Sequence, residues 1–159
     1  MIAVADASPI CYLVLIGEIE LLAKLFSKVL VPPVVIEELL AEGAPATVRS
    51  WASAPPTWVE VREAPMGTRP DLAGLQAGEC TAILLAESVS ADLVLLDEKA
   101  ARLVATKRGL GIAGVLGVLA EAANRSLVDL PAAIDRLTQT SFRSSPALLR
   151  SVLDRFRSR

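Results

Sequence analysis

The chain has 159 residues, 53% of them hydrophobic and 4% aromatic, with a formal net charge of −2 and no histidine. The length suits a single domain, residues 1–159, with a sizeable buried core, and the apolar content, mostly Ala, Val, Leu and Ile, suits helices packed on a buried sheet. The missing histidine excludes Ser-His and Cys-His catalysis, His-based zinc sites and a histidine general base, so any hydrolysis has to run on carboxylates and metal-bound water. Cys11 and Cys80 fit no metal spacing and no disulfide framework, and read as small buried hydrophobes.

In chain order, the apolar run Met1 to Ala5 predicts a strand that stops at Asp6. Ser8-Pro9 then reads as a helix start, with Ser8 as the cap and Pro9 in the first turn. That helix runs to Ile16 and stops at Gly17, and Ile19, Leu22, Ala23 and Phe26 recur at helical spacing after it. Lys28 to Val31 is a short buried strand, followed by Pro32-Pro33 and a helix from Val34 to Ala41. Pro45 to Ala54 is helical and Trp58 to Val61 alternates like a strand. Residues 62–77 are polar and carry prolines and glycines, so a long loop is expected there, and the Pro-rich segment 55–70, which overlaps it, is the expected mobile loop. A helix over Gly78 to Val89 leads to the strand Leu93 to Leu96, which stops at Asp97. A helix over Ala100 to Arg108, a brief strand at Ile112-Ala113 and helices over Val115 to Arg125, Leu130 to Gln139 and Pro146 to Arg157 complete the pattern. Short buried strands alternating with helices imply an α/β fold with a mainly parallel central sheet. No run approaches the ~20 apolar residues of a membrane span. The apolar stretch Ile10 to Ile16 lacks the basic start of a signal peptide, so a cytoplasmic protein is expected.

Charge is unevenly spread. Residues 1–98 carry 5 basic and 14 acidic side chains, while residues 99–159 carry 11 basic and 4 acidic. A basic half suits contact with phosphate, and equally suits solvated helix faces or an acidic partner. Asp6 and Asp97 both stand where a strand stops, and in open α/β sheets ligands bind beyond the carboxyl ends of the strands. Two like charges ~4 Å apart repel by about 4 kcal/mol even at an effective dielectric near 20. Such a pair needs a cation or a shifted pKa, and Mg²⁺ suits it, since it takes one or two carboxylates, several waters and substrate phosphates. The plainer reading makes each Asp a turn or capping residue. Glu37 and Glu38 point about 100° apart on their helix, so one can face inward while the other faces water. Glu79 opens an apolar helix, where an acid is ordinary. The run Gly109 to Gly117 has the wrong spacing for a dinucleotide fingerprint and reads as a turn, a close backbone approach and helix packing.

Asp6-x-Ser8 after the first strand, Val31-Pro32-Pro33 leading to Glu38-Leu39, Gly78-Glu79-x-x-Ala82-Ile83, and Leu95-Leu96-Asp97-Glu98 together resemble the PIN-domain family. Gly109 to Ala120 and Phe142-x-x-Ser145-Pro146 look like the branch related to VapC-type toxins. The resemblance implies a three-layer α/β/α sandwich and a Mg²⁺- or Mn²⁺-dependent endoribonuclease. Carried over position by position, it makes Asp6, Glu38, Glu79 and Asp97 catalytic and metal-holding, with Ser8 matching a small hydroxyl residue near the first acid. The third acid is more often Asp in the family, and here it is Glu79. The strand before Asp97 has Leu95 where Thr is common. Arg102, about one helical turn after Asp97, is either a phosphate contact or a plain surface arginine. RNA as substrate, a cognate antitoxin and a homodimer are the partners implied, and the helices from about residue 130 are the expected contact. On the final helix, Leu149, Val152, Leu153 and Phe156 share one face, with Arg150, Arg155, Arg157 and Arg159 off it. That face either docks on the chain's own core or meets a partner. Two rival functions remain. One is a PIN-like module that binds nucleic acid or protein without cutting. The other is an aspartate phosphatase, which needs a well-placed lysine that Lys24, Lys28, Lys99 and Lys107 do not supply.

Overall fold

Five short apolar runs build the sheet. In the computed structural model, which describes residues 1–65 and 70–157, they are β1 (Ile2–Ala5), β2 (Lys28–Val31), β3 (Val59–Val61), β4 (Leu93–Leu95) and β5 (Ile112–Ala113). Their order across the sheet is β3-β2-β1-β4-β5, and every pairing is parallel. Central strand β1 sets Val4 against Leu30 of β2 on one side and Ala5 against Leu95 of β4 on the other. Side chains alternate with the period of two of a strand covered on both faces. Ala3, Ala5, Val29, Val31 and Leu95 enter one core cluster, and Val4, Leu30 and Val94 enter the other.

The helices supply the two outer layers. Against the first cluster lie α1 (Ala7–Leu15), α2 (Leu21–Leu25), α3 (Pro33–Leu39), α4 (Ala46–Ser53), α7 (Val115–Asn124), α8 (Leu130–Thr138) and α9 (Pro146–Arg157). Against the second lie α5 (Ala77–Ser88) and α6 (Lys99–Lys107). Each fully buried Leu or Ile, such as Ile10, Leu13, Ile83 and Leu119, contributes roughly 2 kcal/mol of transfer free energy. The three-layer α/β/α arrangement is the one expected, and the sheet is parallel throughout. Beyond the ends of α1 and α6, Gly17 and Gly109 hold φ values of +75° and +79°, a left-handed turn that glycine adopts without a Cβ penalty.

Two differences from the sequence expectation, and one choice between its alternatives, bear on function. The cap of α1 is Asp6, which is extended, and not Ser8, which lies exposed inside the first turn. The helix begins directly after β1, so Ser8-Pro9 falls one step too late to start it, and Pro9 sits where no intrahelical N–H is needed. The loop over 62–77 contains a short 3₁₀ turn, Pro70–Leu72, whose Leu72 is buried. Part of the expected mobile segment, residues 66–69, lies outside the described residues, as does Arg159. On α9, Leu149, Val152, Leu153 and Phe156 pack against the first core cluster, so that face docks on the chain itself. Among the described residues no helix is long and apolar enough to cross a membrane.

Candidate functional site

The strand order reverses direction between β1 and β4. From β1 the chain builds outward through β2 and β3, then returns to place β4 on the other side of β1. A crevice opens at the carboxyl ends of the strands at such a switch point. Asp6 and Asp97 stand there, and the backbone N–H of Asp6 donates to the Leu95 carbonyl at 3.1 Å, extending the ladder by one step.

Asp6 is 5% exposed, and its Oδ1 has no hydrogen-bond partner. Burial is the main force pushing its carboxyl up to about 7. The Ala7 N–H offsets this in part, and the negative charges of Glu38, Glu79 and Asp97 raise it further, in falling order. Glu38 is half-buried on α3 while Glu37 is exposed, the division of labour expected of adjacent helical glutamates. Burial also raises Glu38, with the Gly78 backbone pulling it down and Glu79 pushing it up. Gly78 brings these two acids together. A Cβ at that position would lie 2.5 and 2.9 Å from the Glu38 carboxylate oxygens and 3.0 Å from Asp6 Oδ1. The absence of a side chain on the first turn of α5 is therefore what lets α3 and β1 deliver their carboxylates to the same spot. Glu79, the next residue, is buried, and its Oε1 accepts a hydrogen bond from the Gln76 N–H at 2.9 Å. That bond is half of a capping box, so one oxygen of Glu79 is already engaged in starting α5.

Asp97 stands just beyond the end of β4, the strand beside β1. Its Oδ1 accepts from the Val115 N–H at the start of α7, 3.0 Å away, where the helix dipole favours an anion. Its Oδ2 is buried without a partner. Burial raises its pKa, and the Val115 N–H and the Arg102 charge oppose the rise. A second glycine makes room here: a Cβ on Gly114 would lie 2.5 Å from Asp97 Oδ1 and 3.0 Å from Arg102 Nη1. Arg102 is half-buried and donates from Nη1 to the Leu96 carbonyl at 2.8 Å, so it is not a free surface arginine. It keeps its other N–H donors beside Asp97. Ser8 is exposed and lines a groove with Asp97 and Arg102.

The six residues singled out in the sequence thus fall into two adjoining groups at one end of the sheet. Asp6 and Glu38 meet at Gly78, with Glu79 the next residue on α5, and Asp97, Arg102 and Ser8 border the groove over Gly114. Among the described residues no three His, Cys, Asp or Glu side chains are gathered closely enough to form a ready-made ion cage. The fit to a divalent cation rests on the donor chemistry: two buried, unpartnered carboxylate oxygens in a field of negative charge. Mg²⁺ needs no more than one or two carboxylates and retains its waters. The cradling glycines were missed by sequence reasoning. Gly78 carried one signal, being a poor helix former placed inside a helix next to an acid.

A family profile described as PIN domain matches residues 2–158. The chain belongs to the PIN-domain family. The same PIN architecture is found in a solved structure, a PilT N-terminus domain protein from the hyperthermophilic archaeon Sulfolobus solfataricus P2. The two share 21% sequence identity with a TM-score of 0.56, over 77% of this chain and 93% of that one. At that identity the likeness concerns the fold alone. No curated protein matches the chain.

Proposed function

We propose that this PIN domain is a Mg²⁺- or Mn²⁺-dependent endoribonuclease that hydrolyses RNA phosphodiester bonds, with Asp6, Glu38, Glu79 and Asp97 as its metal-holding and catalytic acids. The observation that carries the reading is the pair of buried, unpartnered oxygens, Asp6 Oδ1 and Asp97 Oδ2. An orphaned buried acceptor costs about 1–3 kcal/mol or more when charged, a cost that a bound cation removes. A divalent ion held there would supply a water of lowered pKa and neutralise charge developing on phosphate.

The protein's own groups would do the rest. Asp6 and Asp97 would hold the ion from the ends of two neighbouring strands. Glu38, half-buried and with a raised pKa, would orient the attacking water and receive its proton. Glu79, fixed through Gln76, would complete the acidic wall. Arg102 and Ser8 would steady the phosphate from the groove side. The family resemblance supports a cellular role as the toxin of a toxin–antitoxin pair, acting in the cytoplasm as a homodimer held in check by a cognate antitoxin.

One observation favours a second reading, a module that binds without cutting: Glu79 Oε1 is committed to its helix cap. The test is cleavage of RNA in Mg²⁺ or Mn²⁺ by wild type, Asp6→Asn and Asp97→Asn. Loss of cleavage in both variants supports the nuclease. Equal activity in all three sinks the assignment, and no cleavage in any, without carboxylate-dependent stabilisation by Mn²⁺, favours the binding module.

A further inference from the structure

The groove beyond Asp97 has a volume of about 600 Å³ and is walled by α1, α7, α9 and the segment joining α8 to α9. It is larger than the acidic site needs, and its far part has a different chemistry. Tyr12 lies four residues after Ser8 on α1, hence on the same helix face and about 6 Å farther along. Its ring meets Phe142 edge to face, with centroids 5.2 Å apart and planes at 81°. The Tyr12 hydroxyl hydrogen-bonds Ser141 Oγ at 3.2 Å, which pins the α8–α9 segment over α1. Both rings are half-buried and border the groove, and exposed Arg143 follows directly. The groove is also lined by Leu116, Gly117 and Ala120 of α7, and the two small residues leave room for a flat group.

We propose that Tyr12 and Phe142 form a base-stacking platform, with Arg143 as a phosphate contact, that positions single-stranded RNA on its way to the acidic site. The inference rests on the ribonuclease reading for the identity of the ligand. Three features select a polynucleotide strand. Aromatic rings next to an arginine suit alternating bases and phosphates. The groove is continuous with Asp97 and Arg102, where the phosphodiester would be cut. The groove lining carries no side chain larger than a methyl at Gly117 and Ala120. A duplex, whose bases are already stacked, gains nothing from such a platform.

The experiment is fluorescence anisotropy with a short labelled oligoribonucleotide in EDTA, where binding is read without cleavage. Phe142→Leu keeps the apolar contact with the core and removes the aromatic face. It is expected to weaken binding about 5- to 100-fold, the range for losing one stacked base, while Phe142→Tyr stays within about twofold of wild type. Arg143→Ala is expected to weaken binding and flatten its salt dependence. If Phe142→Leu does not fold, as judged by thermal denaturation, Tyr12→Leu takes its place. Wild-type affinity in both leucine variants overturns the proposal, as does equal affinity for single strand and duplex or no binding by wild type. The two readings fail separately. A protein that binds through the platform yet leaves RNA intact in Mn²⁺ loses the nuclease and keeps the platform. One that cleaves, with kcat and KM untouched in Phe142→Leu, does the reverse.

Discussion

The two ends of α5 treat carboxylates in opposite ways. Near its C-terminus, Glu87 accepts from Arg108 Nε and Nη2 at 3.0 and 2.6 Å, and Arg108 Nη1 holds both oxygens of Asp71 at 3.0 and 2.8 Å. The arginine side chain is only 9% exposed, and its two partners raise its already high pKa. At the N-terminus, Glu79, Glu38 and Asp6 face one another with backbone N–H groups as their compensation, and each negative charge raises Asp6 further. Arg102 serves Asp97 alone. One cluster is paired with a cation of the chain itself and ties α5 and the end of α6 to the 3₁₀ turn. The other leaves a charge to be met from outside, as sites that trade stability for function do.

The contrast can be broken from either end. The largest expected effect is on catalysis: Asp6→Asn or Asp97→Asn should lower RNA cleavage by about 100- to 1,000-fold, the scale of losing one electrostatic element of a site, measured as kcat/KM in Mn²⁺. The same change at Asp6 should strengthen the fold. A folded pKa of about 7 against an ordinary 3.8 means the folded chain binds this proton more tightly than the unfolded chain does. The resulting penalty is absent below pH 3.8, grows as pH rises to 7 and is complete above it. Asp6→Asn should therefore stabilise the protein at pH 8 by about 2–4 kcal/mol in urea unfolding, and less at pH 5. A variant weaker than wild type at pH 8 would show that Asp6 carries no such penalty.

Mn²⁺ at about 100 times its dissociation constant should stabilise the wild type by about 2.7 kcal/mol, and neither Asn variant to that extent. A thermal shift that survives both substitutions would place the ion elsewhere. At the arginine-paired end, Arg108→Ala should cost about 1–3 kcal/mol by withdrawing the guanidinium from Glu87 and Asp71, partly relieved by their exposure. Cleavage by the folded variant should be unchanged. The smallest effect on stability belongs to Gly78→Ala. Its helix gain of about 0.5–1 kcal/mol offsets the displacement of the flexible Glu38 head, while cleavage falls because Glu38 and Asp6 can no longer meet. An undiminished kcat in Gly78→Ala would remove Glu38 from the reaction.

Strands β1, β2 and β4 were legible as apolar runs closed by a polar or turn residue, Asp6 and Asp97 among them, whereas β3, with Glu60 between two valines, was legible by alternation. Burial by helices on both faces of a parallel sheet leaves that signature in sequence. The choice of Glu38 over Glu37 was not legible from local pattern, since a helix start tolerates both. It took α3 packing near α5 to decide which faces Asp6. The cap of α1 was misplaced because Ser-Pro is a stronger local signal than an Asp still counted with the strand. Nothing local marks the Val115 N–H as the donor that holds Asp97, nor Tyr12 as a neighbour of Phe142. Those pairs are created by the strand order and by α9 folding back.

The bond from Val115 to Asp97 also sets a clock. Asp6 is made well before its partner acid, which is held only once β4 has paired with β1 and the start of α7 has formed. At about 5–20 residues per second, the interval between residues 6 and 115 lasts on the order of ten seconds. Chains stalled short of Val115 are expected to leave RNA intact in a cleavage assay. Tyr12 and Phe142 meet later still. An acidic site assembled in this order stays incomplete until β4, α7 and the segment carrying Phe142 have all found their places on β1 and α1.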